Sequence, residues 1–307
     1  MAYDTSCSAG REKAPKAAQR RGVAMAQRRR TAIAVVPILV IACALAAAAV
    51  IASAIGPAWF RSRYETEKAH LLRGAKPLAA PAPESGALPE PVRRYLEVTK
   101  AAQRPPLTFA ILKQRGALRI AAGKPWMPFE SEQVYTLDPP GFVWLAKARA
   151  APLVSMLARD EFVAGKGNML VTLLGALTMA DARGPEMDLG AGLRYWGEII
   201  AFPEALRSRE LRWAALDARR ARLAIEQGDL RMAAVVEFGG DGLPVAVHAD
   251  RYRDASGTQV LTPWSGRMEE WKPVDGRLFP TRWESVWHLP EGDLSVVRMQ
   301  ILAVQTG

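Results

Sequence analysis

The hydrophobic and polar positions of this chain fall into successive regimes of different period. Residues 31–60 contain no charged side chain, and the core TAIAVVPILVIACALAAAAVIASAIG exceeds the roughly 20 residues a helix needs to cross a bilayer. Residues 61–72 mix both charges and extend that helix into water, and GAKPLAAPAPESGALPEP follows, where repeated Pro favours an extended spacer. Pro89-Glu90-Pro91 opens a short helix, VRRYLEVTKAA, with Val92, Tyr95, Leu96 and Thr99 on one side. From Leu107 the period becomes two. LTFAILKQRGALRIAAG, with a bulge expected at Gly116, MPFESEQVYTL, FVWLAKARA, LVSMLARDEFVAG and NMLVTLLGALTMADA read as strands, with turns at Asp138-Pro139-Pro140-Gly141 and Gly165-Lys166-Gly167. Residues 184–207 return to helical spacing: Leu189, Leu193, Trp196 and Ile200 form an apolar stripe, Arg194 and Glu198 fall opposite it, Asp188 is the expected N-cap, and Pro203 ends the helix or starts a short turn. Strand signals then recur to the C-terminus, as in LRMAAVVEF, where Leu230, Met232, Ala234, Val236 and Phe238 share a face. About twelve strands joined by tight turns predict an antiparallel meander, and a sheet of that width curls and needs a filler. The expected fold is mainly β: an N-terminal transmembrane helix, then a large curved antiparallel sheet, a half-barrel, packed around one central helix.

Charge sharpens the picture of the N-terminus. Formal net charge is +10, but residues 1–30 hold eight Lys/Arg against Asp4 and Glu12, so +6 belongs to that tail and +4 to the rest. The basic balance describes a leader segment and gives no ground for a nucleic-acid partner. Arg28, Arg29 and Arg30 abut the apolar span and place the N-terminus in the cytoplasm. The expected organisation is a disordered basic cytoplasmic tail at 1–30, a membrane anchor at 31–60, a juxtamembrane helix and Pro/Ala-rich spacer at 61–88, and an exported β domain at 89–307. The expected location is the inner membrane of a bacterium, with the C-terminal domain in the periplasm. Cleavage after Ala52-Ser53-Ala54, acylation at Cys43 in Val40-Ile41-Ala42-Cys43, and initiation at Met25 are alternative processing readings. Cys7 and Cys43 are the only cysteines and His70, His248 and His288 the only histidines, so neither a disulfide, a metal centre nor a cofactor is expected in the exported part.

A set of short segments carries a resemblance. Leu88-Pro89 with Pro91-Val92-Arg93-Arg94-Tyr95-Leu96, Trp126-x-Pro128-Phe129, Pro140-Gly141-Phe142-x-Trp144, Gly165-x-Gly167, Ala180-Asp181-Ala182-x-Gly184-Pro185-Glu186, Arg194-Tyr195-x-x-Glu198, Pro203-x-Ala205-Leu206, Trp213, Asp217, Arg251-Tyr252 and Pro263-Trp264-x-Gly266 resemble a bacterial family of membrane-anchored proteins of unknown function. The resemblance covers residues 88–304, implies no activity, and departs at Trp196, where Leu is expected. The order of strands and helix is similar to the curved half-barrel of periplasmic lipoprotein carriers and related lipid-binding envelope lipoproteins, an architectural likeness that implies a carrier only by analogy.

Candidate chemistry is sparse. Trp144, Trp196 and Trp213 suit the lining of an apolar pocket, with core packing as the plainer role. Arg194 and Glu198 pair at a spacing of four, either on a solvated face or around a polar headgroup, with Tyr195 beside them. Asp181 and Glu186 flank Gly184-Pro185, where turn and capping roles compete with acid/base work. A triad on His248 and Asp250 needs a distant nucleophile such as Ser155 or Ser265, and no Gly-x-Ser-x-Gly elbow is present. Asp250, Arg251 and Arg253 read as a solvent-facing strand end. Three functions follow: a non-catalytic membrane-anchored protein binding a lipid or other apolar ligand, an enzyme using carboxylates on an envelope substrate, or a structural or interaction domain with a filled core.

Overall fold

Alternating positions from Phe109 onward build strands β1 (Phe109–Leu118), β2 (Met127–Leu137), β3 (Pro140–Ala151), β4 (Val154–Val163), β5 (Lys166–Leu173) and β6 (Leu177–Ala182). After the helical segment come β7 (Leu211–Ala215), β8 (Arg220–Gln227), β9 (Leu230–Phe238), β10 (Pro244–Ala255), β11 (Thr258–Val274), β12 (Arg277–Leu289) and β13 (Gly292–Thr306). The helices are α1 (Ala14–Gly74), α2 (Glu90–Val98) and α3 (Pro185–Ile199), the last followed by a 3₁₀ turn at Pro203–Arg207. This computed structural model describes residues 14–78, 88–151, 154–255 and 257–307. The chain divides into two compact units, Met1–Ala52 and Ser53–Gly307.

The thirteen strands make one antiparallel half-barrel sheet in the order β6-β5-β4-β3-β2-β1-β13-β12-β11-β10-β9-β8-β7. Two meanders are thus zipped together by the first and last strands, with Leu112 opposite Val304 and Leu118 opposite Val297. The sheet edges are the short strands β6 and β7, and α3 is the segment that joins them. Chain connectivity therefore carries α3 across the concave face, where it touches β4 and β5 on one arm and β9, β10 and β11 on the other. Glycines permit the approach: a Cβ on Gly167 would lie 2.8 Å from that of Ala191, and one on Gly192 2.8 Å from the Met232 sulfur.

The concave core gathers Phe142, Trp144, Tyr195, Trp196, Ile199, Phe202, Phe238 and Phe279. On the convex face of β2–β4, Val134, Val143, Leu145 and Leu157 pack with Phe60, Tyr64 and Leu71 of α1. β3 is consequently buried on both faces from Pro140 to Ala146. Lys68 and the Tyr64 hydroxyl both donate to Glu132 on β2, at 2.6 and 3.1 Å. Past the helix end, the amide of Lys76 donates to the Asp138 carbonyl at 2.7 Å.

Several local expectations change. NMLVTLLGALTMADA is two strands, because Leu174 and Gly175 adopt φ values of 54° and 72° and turn the chain. The irregularity in the β1–β13 ladder lies opposite Lys113 and Gln114, where Leu302 of β13 is the extra residue, rather than at Gly116. Gly184, held at φ 111° before Pro185, is the N-cap of α3 in place of Asp188. In the first unit, the side chains of Ile38, Leu39, Val40 and Ile41 on α1 are exposed. Among the described residues no helix is long and apolar enough to cross a membrane. The tail 1–13 and the side chains of residues 31–36, which open the expected span, lie outside the described residues.

Candidate functional site

The concave face carries polar side chains among its apolar ones. Along β1 and β2 the inward positions read Leu112-Gln114 and Ser131-Gln133-Tyr135, and on β4 Asp160 precedes Phe162. α3 crosses above these strands and presents Arg194 and Glu198 to them. The Arg194 guanidinium donates from Nε to Glu198 Oε1 at 3.0 Å and from Nη1 to Asp160 Oδ2. Glu198 Oε2 accepts from Tyr135 Oη at 2.7 Å and from Gln133 Nε2 at 2.8 Å. Gln114 continues the network, its Oε1 accepting from Ser131 Oγ at 2.8 Å and Trp144 Nε1 at 3.0 Å. The rings of Phe142 and Trp144 each lie 4.9 Å from the Arg194 carbon.

Arg194 and Glu198 thus sit within the concave face, only 14% and 12% exposed, which replaces the expectation of a solvated pair. The helix side opposite the apolar stripe meets the curled sheet instead of water. Burial pushes the Asp160 carboxyl up despite its Arg194 partner, and its Oδ1 has no donor among the described residues. Burial alone would lower the Arg194 guanidinium, but the Glu198 and Asp160 carboxylates hold it above its ordinary value.

Arg251 on β10 adjoins this cluster, which corrects its reading as part of a solvent-facing strand end: its side chain turns inward to α3. Its Nη2 donates to the Gly190 carbonyl of α3 at 2.8 Å, and its guanidinium carbon lies 4.6 Å from the Trp264 ring and 5.9 Å from Trp287. Burial and then the neighbouring Arg194 push it down to about 10. Its Nε is buried and lacks an acceptor among the described residues. A planar cation flanked by indoles, with a donor to spare, matches a phosphate or carboxylate.

The other candidates do not converge with this cluster. Tyr195 donates to the Thr136 carbonyl at 2.8 Å and Trp196 to Gln227 at 2.9 Å, both from within the core. Trp213 packs against that core on β7 with its Nε1 unpaired among the described residues. Asp181 pairs with Arg183 and accepts from Asn168, while Glu186 lies in the first turn of α3. No hydrogen bond joins either to Glu198 among the described residues.

On the convex face Ser265 lies between two histidines, its Oγ 2.8 Å from His248 Nδ1 and 2.6 Å from His288 Nε2. His288 Nδ1 meets Asp293 at 2.6 Å, and His248 Nε2 meets Glu237 at 3.3 Å, so Asp250 takes no part. Ser265 is 1% exposed and lies within β11, whose neighbouring amides belong to the ladder. That placement gives neither an attack path nor an oxyanion cradle, and the chain of contacts ties β9, β10, β11, β12 and β13 together.

Fold and site define a curved antiparallel half-barrel, crossed by a helix, with a buried ion cluster and tryptophans on its concave side. The chain belongs to a family of unknown function (DUF6544), whose model matches residues 80–299. Among solved structures, one of a domain assigned to outer membrane lipoprotein sorting from Vibrio parahaemolyticus is 10% identical, covering 70% of this chain and 91% of its own at a TM-score of 0.40. A LolA superfamily protein from Nitrosomonas europaea is 13% identical, covering 70% and 92%, at 0.35. A DUF1329 family protein from Desulfovibrio piger is 12% identical, covering 70% and 91%, at 0.36. No curated protein matches the chain.

Proposed function

We propose that this is a membrane-anchored envelope protein that holds a lipid or other apolar molecule on the concave face of its sheet, without transforming it. Residues 31–60 supply the anchor, Arg28–Arg30 retain the N-terminus in the cytoplasm, and the β domain stands on the periplasmic side of a bacterial inner membrane. The observation that carries the ligand reading is Arg251. A half-buried guanidinium between Trp264 and Trp287, whose Nε has no acceptor among the described residues, suits one anionic headgroup beside an aromatic wall.

Native mass spectrometry of the full chain, released from detergent, tests this. The expected result is one retained amphiphile on the wild type and its loss in Arg251→Met, which keeps side-chain volume while removing the donors. Equal occupancy in both proteins sinks the headgroup role. A second reading, carboxylate chemistry, has one observation in its favour: Asp160 is buried and raised beside Glu198. It predicts that the retained molecule changes mass on incubation with wild type and stays intact with Asp160→Asn.

A further inference from the structure

Strand register collects six connections at one end of the sheet. These are the links where Leu118 pairs with Met127, Ala151 with Val154, Leu173 with Leu177, Gln227 with Leu230, Ala255 with Thr258, and Leu289 with Gly292. The opposite end is covered by α2, whose Tyr95 packs on Phe238 and Trp271 at 6.2 and 5.9 Å and donates to the Ile200 carbonyl at 2.9 Å.

The end without α2 is the apolar one. Ile120, Leu177, Met179, Val260 and Leu261 are exposed there by 71, 61, 58, 41 and 55%. Scattered apolar side chains are ordinary on a protein surface, but five gathered by register at one end of a sheet mark an interaction site. Lys124, Lys147 and Arg149 are exposed at the same end, alongside the acids Asp254 and Glu291. Trp126 lies there too, between the guanidiniums of Arg119 and Arg298 at 4.8 and 4.9 Å.

The position of residues 53–60 says what this end faces. Residues 53–60 close the uncharged stretch of the sequence and belong to the same compact unit as the sheet. Gly56 packs directly on the turn between β5 and β6. A Cβ on it would overlap the Leu174 carbonyl, and one on Gly175 would lie 2.7 Å from the Pro57 nitrogen. Ile55 and Trp59 are exposed at this level, by 62 and 56%, and Trp is the residue favoured where hydrocarbon meets headgroups. From Gly56 to Gly74 the helix rises roughly 27 Å and passes from this turn to the Asp138 end of the sheet.

We propose that the rim formed by the β1–β2, β5–β6 and β10–β11 connections is seated in the headgroup layer of the bilayer. The end of the half-barrel without α2 then faces the membrane surface, the source from which an amphiphile reaches Arg251 without crossing water. This rests on residues 31–60 being the anchor. The test uses the full chain with Cys7→Ser and Cys43→Ala, carrying one environment-sensitive dye on Ile120→Cys, Met179→Cys or Leu261→Cys. Reference dyes go on Leu39→Cys in the apolar stretch and Leu216→Cys at the far end of the sheet. In vesicles of phosphatidylethanolamine and phosphatidylglycerol, spin-labelled lipid should quench the three rim dyes several-fold more than the dye at position 216. All sites are exposed, so the substitutions leave the core intact, and three rim positions guard against one misfolded variant. Quenching at 39 with rim values equal to that at 216 overturns the proposal and leaves the anchor standing. Absence of quenching at 39 overturns the anchor and the rim together.

Discussion

Arg194 shows what one side chain gains and costs inside this sheet. Its spacing from Glu198 was legible, since four residues on a helix always juxtapose the two. What lay across from them was not, because Gln114, Gln133 and Asp160 come from three strands and no local pattern reports that they converge. The signal was present in a weaker form: polar residues at inward positions of the strand alternation. Removing Arg194 would leave Asp160 and Glu198 buried without their cation. Arg194→Ala should therefore lose about 3–5 kcal/mol in urea unfolding, against about 0–1 kcal/mol for an exposed pair. Asp160 adds a pH signature. Its folded carboxyl lies above the unfolded value because of burial, so its stabilising share is complete below the unfolded pKa and is lost as pH rises through the folded one. Asn cannot titrate. The stability of Asp160→Asn relative to wild type should improve as pH rises across that window, and a difference independent of pH would exclude the raised carboxyl.

At the scale of elements, the helix was predictable and its fastening was not. Asp188 satisfies the composition of an N-cap, yet Pro185 fixes the first helical position and leaves Gly184 as the cap. Asp188, one turn in, instead accepts from the buried Gly167 amide at 2.8 Å and from Lys166 at 2.9 Å, pinning α3 to the turn between β4 and β5. Asp188→Ala strips that amide of its acceptor and should cost about 1–3 kcal/mol. Lys166→Ala, at a side chain 81% exposed, should cost under about 1 kcal/mol. Equal losses in chemical denaturation would refute this assignment of the fastening. The β5–β6 turn was missed for a related reason. Apolar residues run almost without a break through LVTLLGALTMA, and Leu at a positive φ is a poor turn signal. The convex cover was also hidden, since the Phe60, Tyr64 and Leu71 that shield β2–β4 precede them by a stretch that reads only as linker.

For the whole molecule, mainly β content and one filler helix followed from periodicity, whereas the closure did not. β1 joins β13 across nearly two hundred residues, and no short-range signal encodes that pairing. It places the C-terminus in the sheet: Gly307 exchanges backbone hydrogen bonds with Phe109 at 3.1 and 3.2 Å. A fluorescent reporter added after Gly307 through a flexible linker therefore reports the side on which the sheet lies. The three arginines before an uncharged stretch favour retention of the N-terminus in the cytoplasm, and a reporter that matures only there should stay dark on the full chain. Deleting residues 31–60 should restore fluorescence, since nothing then draws the chain across the membrane. Bright fluorescence from the intact chain would invert the orientation, removing the periplasmic location while leaving the Arg194 cluster and its stability predictions untouched.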